Sequence, residues 1–139
     1  MKNIYICDID GTIANHKGIR GPFDEHLVFE DTPLPTVEII KSLIATGDRI
    51  IYFSGRTEAC REDTIKWLTK YIDDSYPELY MRAIKDQRGD EIVKKEMYDT
   101  YIKDKYNVLG VFDDRLKVCR MWYSLGLFVF NCNQGLIEF

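Results

Sequence analysis

The chain has 139 residues, of which 45% are hydrophobic and 30% are charged. This composition is typical of one globular domain and excludes disordered, collagen-like and coiled-coil proteins. The formal net charge of −4 disfavours indiscriminate binding to nucleic acid or to membranes. No apolar run is long enough to span a bilayer, and the N-terminus begins a strand-like pattern rather than a signal peptide. We therefore expect a single soluble, cytoplasmic domain over residues 1–139, with no membrane partner.

Short apolar runs alternate with longer amphipathic ones along the chain. The predicted strands are residues 3–7, 49–53, 79–83, 108–112 and 127–130. The predicted helices are residues 35–47, 57–71, 90–103 and 116–125. The fifth strand is fully apolar, as in sheets that are covered on both faces. This order predicts an α/β fold, in which helices lie on both sides of a five-stranded parallel sheet.

Residues 12–32 form a Gly-rich, aperiodic stretch between the first strand and the first helix. Twenty residues without regular structure inside a small domain usually serve function. We expect a loop or a short flap here. Its histidines, His16 and His26, are interpreted as loop residues.

Polar residues follow three of the predicted strands. They are Asp8, Asp10, Gly11 and Thr12 after the first, Ser54, Gly55 and Arg56 after the second, and Asp113 and Asp114 after the fourth. Ligands of open α/β sheets bind at the carboxyl ends of the strands, so these residues should converge on one edge.

The four acids of this edge, namely Asp8, Asp10, Asp113 and Asp114, are predicted to hold Mg²⁺. Crowded carboxylates repel one another, and oxygen-rich sites suit this hard cation. The alternative is that DxDG is a turn and DD a helix cap. Because both clusters occur at strand ends, with a serine and a lysine besides, the metal site is favoured.

The same acids can transfer a phosphoryl group. Asp8 is predicted to attack phosphorus and form an aspartyl-phosphate. Asp10 would protonate the leaving oxygen and then deprotonate the hydrolytic water. Thr12, Ser54 and the turn amides would donate hydrogen bonds to the phosphoryl oxygens.

The sequence DIDGT at residues 8–12, with Ser54, Lys94 and DD at residues 113–114, resembles the haloacid dehalogenase-type phosphohydrolases. The resemblance implies a three-layer Rossmann-like core and the roles given above for Asp8 and Asp10. It also implies that Ser54 and Lys94 bind phosphate and that the acidic pair helps to hold Mg²⁺. The chain lacks the long insertions that form a cap domain in many members, so we expect an open site under a short flap.

Further segments resemble the phosphatase domain of bacteriophage polynucleotide kinase-phosphatases. They are MR at 81–82, DxRxD at 86–90, VKKE at 93–96, VFDDR at 111–115 and MW at 121–122. Those enzymes remove 3′-phosphates from nucleic-acid ends. The resemblance implies that Asp90 and Lys94 act together, and that Arg56 and an arginine of the flap, Arg20, contact substrate or phosphate.

Several residues keep alternative interpretations. Lys85 and Lys95 compete with Lys94 for the site, and Arg82 and Arg88 either line it or are solvated. The aromatic residues Phe53, Trp67 and Trp122 are predicted to be core, and Tyr98 and Tyr101 to pack rather than to stack on bases. The four cysteines have no CxxC spacing and are interpreted as reduced packing residues.

The sequence thus predicts a Mg²⁺-dependent phosphomonoesterase that acts on a 3′-phosphorylated DNA or RNA end. The nearest alternative is a phosphatase of mononucleotides or of other small phosphomonoesters. A receiver domain has its acidic pair and its phosphorylated aspartate in the opposite order, and a silent binding module need not retain both Asp8 and Asp10. The sequence contains no GxxxxGK motif followed by Ser or Thr, so kinase activity is not expected, and a separate kinase or ligase is a possible partner.

Overall fold

Strands and helices alternate along the chain in a computed structural model, which describes residues 1–15 and 24–139. The strands are β1 (Lys2–Cys7), β2 (Ala14–Asn15), β3 (Thr32–Pro33), β4 (Arg49–Thr57), β5 (Glu78–Arg82), β6 (Tyr106–Asp113) and β7 (Val129–Asn131). The helices are α1 (Thr36–Ala45), α2 (Arg61–Tyr71), α3 (Asp90–Tyr101) and α4 (Leu116–Ser124). Two short 3-10 helices cover Glu25–Glu30 and Glu58–Cys60.

The main sheet has five parallel strands in the order β5-β4-β1-β6-β7. Strand β1 is central, with β4 on one side and β6 on the other. From β1 the chain first builds outward through β4 and β5 and then crosses to β6 and β7. The direction of winding therefore changes beside β1, where open α/β sheets bind their ligands. The predicted fold class and the five-stranded parallel sheet are confirmed.

Both faces of the sheet are covered, because successive residues of a strand point to opposite sides. Ile50 and Tyr52 of β4 pack with α1 and α2, in the cluster that contains Trp67. Ile51 and Phe53 pack with α3 and α4, in the cluster that contains Trp122. Phe53, Trp67 and Trp122 are fully buried, which confirms that they are core residues.

The predicted loop over residues 12–32 contains three short elements in its described part. They are β2, the 3-10 helix Glu25–Glu30 and β3, and β2 pairs with β3 in an antiparallel manner. The described residues include no large cap. The predicted site residue Arg20 and the loop histidine His16 lie outside the described residues. None of the helices in residues 1–15 and 24–139 is long and apolar enough to cross a membrane.

The fifth strand differs from its prediction. It covers Val129–Asn131 rather than residues 127–130, and it lies at the edge of the sheet, where only β6 pairs with it. Phe128 is 66% exposed and Phe130 is 39% exposed. The expectation of a strand buried on both faces was wrong, because an apolar run does not distinguish an edge strand from a central one.

Strand β4 is longer than predicted and ends at Thr57 rather than at residue 53. Its last residues continue to pair with β5 through Ser54 and Met81, and then, after an irregularity, through Thr57 and Arg82. Ser54, Gly55 and Arg56 therefore lie within the strand and not after it. The apolar pattern ends at Phe53, whereas backbone pairing does not depend on side-chain polarity.

Candidate active site

Asp8 directly follows β1, and two side chains donate hydrogen bonds to its carboxylate. Lys94 Nζ donates to Asp8 Oδ1 at 2.7 Å, and Thr12 Oγ1 donates to Asp8 Oδ2 at 2.8 Å. Lys94 Nζ also donates to Asp113 Oδ2 at 3.0 Å. The structure thus joins the ends of β1 and β6 to α3 through one lysine, as the convergence of strand ends predicts.

The turn after Asp8 depends on Gly11. This residue has φ of 76°, a left-handed conformation that L side chains rarely adopt. A Cβ at Gly11 would also collide with the carboxylate of Asp114. The turn brings the amides of Thr12 and Ile13 to the carbonyl of Ile9, at 3.2 and 3.0 Å. It thereby places Thr12 over the nucleophile candidate.

Lys94 is the lysine that enters the site. It is fully buried on α3, whereas Lys95 pairs with Asp99 at the exposed surface and Lys85 is exposed. Burial acts to lower the pKa of Lys94, but the carboxylates of Asp113, Asp8 and Asp90 outweigh it and raise the pKa well above its usual value. Lys94 therefore stays cationic in the folded protein.

Asp90 lies one helical turn before Lys94 and contacts it as an ion pair, with Nζ and Oδ2 3.7 Å apart. Arg82 Nη2 donates to the other oxygen, Asp90 Oδ1, at 3.1 Å, and Arg82 Nε donates to the carbonyl of Gly55 at 2.8 Å. A Cβ at Gly55 would collide with Asp90. Asp90 and Gly55 are thus part of the wall of the site, and Arg82 ties them together.

Arg88 lies outside this arrangement. Its guanidinium donates to the carboxylates of Asp86 and Glu96, and these hydrogen bonds lie at the protein surface. The structure therefore favours the solvated interpretation for Arg88.

Three carboxylates form the candidate metal site. Oxygens of Asp8, Asp113 and Asp114 lie within 4.8 Å of one another. Burial raises the pKa of Asp8, and Asp113 raises it further against the opposing effect of Lys94. Burial also raises the pKa of Asp114. The set consists of hard oxygen donors that carry more negative charge than Lys94 can offset, and it therefore fits a divalent cation such as Mg²⁺.

The carboxylate of Asp113 accepts four hydrogen bonds. Its Oδ1 accepts from the backbone amides of Asp114 and Arg115, at 2.9 and 3.2 Å. Its Oδ2 accepts from Lys94 and, at 3.3 Å, from the indole Nε1 of Trp122. The sequence predicts Trp122 as a core residue only. The MW motif at 121–122 was the available signal for a polar role, since a buried indole N–H needs an acceptor.

The Asp10 side chain lies apart from these three carboxylates. It accepts from Arg56 Nε at 3.2 and 3.1 Å and from Arg56 Nη2 at 2.8 Å, and it is 43% exposed. The prediction that the Asp10 carboxylate belongs to the metal cluster is therefore not met, since the cluster in the described residues consists of Asp8, Asp113 and Asp114. It is instead at the solvent side of the site, two residues beyond Asp8.

Arg56 is buried rather than presented to solvent. Besides Asp10, its guanidinium donates to Asp31 Oδ2 at 2.9 Å and to Thr64 Oγ1 at 3.1 Å. Sequence reasoning missed Asp31 and Thr64, because neither belongs to a motif and both reach Arg56 only through the fold. Ser54 is buried as well, and its Oγ accepts from the backbone amide of Arg56 at 3.0 Å.

A family model described as the polynucleotide kinase PNKP phosphatase domain matches residues 2–137. A protein of Autographa californica nuclear polyhedrosis virus, named as a bifunctional polynucleotide kinase/RNA ligase, is 37% identical over 138 residues. The match covers 96% of this chain and 20% of the viral protein.

Two solved structures of the Pnkp1/Rnl/Hen1 RNA repair complex contain chains that superpose with a TM-score of 0.90 at 36% and 37% identity. They cover 99% of this chain, which in turn spans 44% and 47% of those chains. The class C acid phosphatase of Bacillus anthracis, at 15% identity and a TM-score of 0.65, shares the fold. The chain spans less than half the length of the viral protein and of the two RNA repair complex chains.

The comparisons agree with the geometry of the site, in which Lys94 contacts Asp8, and Asp8 lies beside Asp113 and Asp114. The family model matches residues 2–137, and the viral protein is 37% identical. The chain belongs to the family of polynucleotide kinase PNKP phosphatase domains, and is a phosphatase domain of the haloacid dehalogenase type.

Proposed function

We propose that this domain hydrolyses the 3′-phosphate of a nucleic-acid end through an aspartyl-phosphate on Asp8. The observation that carries the proposal is the arrangement at Asp8, a buried carboxylate held by Lys94 and Thr12, with the half-exposed carboxylate of Asp10 two residues on. A fixed nucleophile beside an accessible acid/base group is what a two-step phosphoryl transfer requires.

In the first step, a carboxylate oxygen of Asp8 attacks phosphorus and the bond from phosphorus to the ester oxygen breaks. The proton of Asp10 passes to that oxygen, so that the 3′-hydroxyl leaves as an alcohol. In the second step, Asp10 takes a proton from water, which attacks the phosphorus of the aspartyl-phosphate. Inorganic phosphate leaves, and Asp8 and Asp10 return to their starting states.

The cation that the family generally uses would be held by Asp8, Asp113 and Asp114, and it would offset the repulsion between the anionic nucleophile and the phosphate. Lys94 supplies a fixed positive charge at Asp8, and its hydrogen bond to Asp8 Oδ1 orients the nucleophile. Asp113, bound by Lys94 and Trp122, fixes that lysine in turn. The Thr12 hydroxyl, which donates to Asp8 in the absence of substrate, would turn to donate to a phosphoryl oxygen of the substrate.

The names of the relatives support a nucleic-acid end as the substrate of this domain. The family is that of polynucleotide kinase phosphatase domains, and the relatives are named for polynucleotide kinase and RNA ligase activity and for an RNA repair complex. The described residues include no large cap over the site, which leaves room for a polymer end. We infer that the domain acts in RNA end repair beside a kinase and a ligase.

The test is phosphate release from matched oligonucleotides that carry a 3′- or a 5′-phosphate and from a 3′-mononucleotide, with Mg²⁺ or with EDTA. We expect Mg²⁺-dependent release from the 3′-phosphorylated oligonucleotide and none from Asp8→Asn. Asp99→Asn, at the exposed face of α3, is the matched control and should match the wild type. Hydrolysis of the mononucleotide alone would establish a small-molecule phosphatase, and no release from any substrate would overturn the proposal.

A further inference from the structure

Asp114 offers its carboxylate to the candidate cation site from a stretch that is neither strand nor helix. Strand β6 ends at Asp113, and α4 begins at Leu116. The Asp114 carboxylate lies against the turn at Gly11, where a Cβ would collide with it, and its Oδ1 accepts from Thr12 Oγ1 at 3.4 Å. The direction of this carboxylate therefore depends on how the backbone at Asp114 is held.

The backbone carbonyl of Asp114 falls between the hydrogen bonds of the sheet and those of the helix. On the sheet side, the amide of Cys132 donates to the carbonyl of Asp113 at 2.8 Å. On the helix side, amides in the first turn of α4 donate to the carbonyl of Arg115. The carbonyl between these two accepts from a side chain, Asn133 Nδ2, at 2.9 Å. Asn133 thus joins the residues after β7 to the loop that carries Asp114.

The side-chain amide of Asn133 is itself fixed by the chain that follows it. Nδ2 also donates to the carbonyl of Ile137 at 2.7 Å, and Oδ1 accepts from the amide of Ile137 at 2.7 Å. Gly135, with φ of 88°, turns the chain so that Ile137 returns to Asn133. An asparagine amide has two N–H donors and one carbonyl acceptor in one plane. All three take part here, so the plane keeps one orientation toward Asp114.

Residues 137–139 contact α4 beside the same loop. Arg115 Nε donates to the carbonyl of Phe139 at 3.0 Å, and the Arg115 guanidinium lies over the Phe139 ring. Glu138 forms an ion pair with Arg120 of α4. These contacts hold Ile137 in place to bind the amide of Asn133.

We propose that Asn133 is a positioning residue of the cation site, whose side-chain amide fixes the backbone at Asp114 and so controls the affinity for Mg²⁺. The inference rests on the proposed function, in which Asp8, Asp113 and Asp114 hold the cation. Mg²⁺ demands near-ideal octahedral geometry, so a small displacement of one carboxylate weakens binding. Partners that orient metal ligands typically contribute about 10- to 100-fold in metal affinity.

The test is direct binding of a divalent ion, which does not depend on turnover. Mn²⁺ prefers the same oxygen ligands as Mg²⁺, and its free ion is counted by electron paramagnetic resonance. We would titrate Mn²⁺ into the wild type, Asn133→Ala and Asn133→Leu, and obtain the dissociation constant of Mg²⁺ by competition. Both substitutions are neutral, so neither changes the charge near the site. Urea unfolding in EDTA would give the metal-free stability of each variant.

Two further variants serve as matched controls. Gln134→Ala changes the exposed neighbour of Asn133, whose side chain donates only to the carbonyl of Cys132, at 3.4 Å. Arg49→Met breaks the pair with Glu78, at the end of the sheet opposite to the candidate site. It should therefore lower the stability without changing the loop at Asp114.

We expect both Asn133 variants to raise the dissociation constants of Mn²⁺ and Mg²⁺ by at least about 10-fold. Gln134→Ala and Arg49→Met should bind both ions as the wild type does. The affinity would then follow the hydrogen bond to Asp114 and not the overall stability of the domain.

Wild-type affinity in both Asn133 variants would overturn the inference, whatever their stability in EDTA. An equal loss of affinity in Arg49→Met would also overturn it, because affinity would then follow the stability of the fold. If the wild type itself binds neither ion, the cation site of the proposed function fails and Asn133 has no site to position. Asn133→Leu keeps the volume and branching of the side chain, so it provides the test if Asn133→Ala fails to fold.

Discussion

Lys94 Nζ lies 2.7 Å from Asp8 Oδ1 and 3.0 Å from Asp113 Oδ2, with only 1% of the lysine side chain exposed. One buried cation therefore joins the carboxylates at the ends of β1 and β6. In the proposed mechanism this lysine orients the nucleophile, and it also offsets the negative charge of the carboxylates that the fold brings together. Its loss should affect both the stability and the chemistry of the domain.

Replacement of Lys94 tests this dual role. In EDTA, Lys94→Met should lower the free energy of unfolding by about 3 to 5 kcal/mol, the usual cost of breaking a buried ion pair. With Mg²⁺ present, the same substitution should abolish phosphate release. Urea unfolding measures the first effect. Lys95→Met, at the exposed neighbouring position, should change the stability by no more than about 0.5 kcal/mol. Equal losses in the two variants would contradict the role of Lys94.

Magnesium should stabilise the folded domain. Since Mg²⁺ binds the native carboxylates and not the unfolded chain, it should add about 2.7 kcal/mol at a concentration 100 times its dissociation constant. Thermal unfolding with Mg²⁺ and with EDTA measures this shift. Asp114→Asn should reduce it, whereas Asp99→Asn should leave it unchanged. An equal shift in both variants would place the ion elsewhere.

The magnesium effect should depend on pH. Because burial raises the folded-state pKa of Asp8 and Asp114 above the unfolded values, their contribution to stability in the metal-free protein is present below the ordinary aspartate pKa. It is lost as the pH rises through the raised values. Protons compete with the cation for the same oxygens. The shift in Tm caused by Mg²⁺ should therefore grow as the pH rises from the ordinary aspartate pKa through the raised values. A constant shift would contradict the assignment of the cation to Asp8 and Asp114.

The indole N–H of Trp122 should contribute to the metal site through its hydrogen bond to Asp113, in addition to the packing of the ring. Trp122→Phe keeps an aromatic ring against Phe53 and Tyr98 but removes the N–H that Asp113 accepts. We expect a loss of stability of a few kcal/mol or less, together with a lower affinity for Mg²⁺, measured by titration of Tm against the ion. A variant that is less stable but binds Mg²⁺ as the wild type does would show that the indole serves packing alone.

The cysteines should react slowly in the native protein. Cys7, Cys60 and Cys119 are buried, and Cys132 is partly exposed. Burial raises the pKa of Cys132 to about 11 and that of Cys119 to about 12, so that little of the reactive thiolate is present at neutral pH. Titration with a thiol reagent should modify at most Cys132, and slowly, before denaturation exposes all four. Rapid modification of two or more would contradict this.

The main sheet and the centre of the site could be predicted because their signals are local. The apolar runs mark the strands. Asp8 follows β1, Asp113 ends β6 and Asp114 follows it, and parallel pairing brings these two strand ends together. The choice of Lys94 over Lys95 followed from resemblance, and burial now supports it. Chain order and parallel strand pairing are therefore sufficient to place these residues at one edge of the sheet.

The network around Arg56 could not be predicted in the same way. Asp31 comes from the segment before β3 and Thr64 from α2, and nothing in their sequence surroundings indicates that they meet one guanidinium. The edge position of β7 was missed for a related reason, since the number of strands that pair with a segment is a property of the whole sheet. Contacts between distant segments determine both features.

Strand β1 pairs with β6 from Lys2 to Cys7 and with β4 from Ile4 to Cys7, and the amide of Asp8 donates to the carbonyl of Phe112 at 2.9 Å. Displacing Asp8 would require two strand ladders to open at once. In the proposed reaction the nucleophile Asp8 is thus the stationary partner, and the phosphorus atom would travel to it. Selection among phosphate esters then depends on the groups that guide this approach, and a substitution that loosens β1 should slow turnover while leaving substrate capture intact.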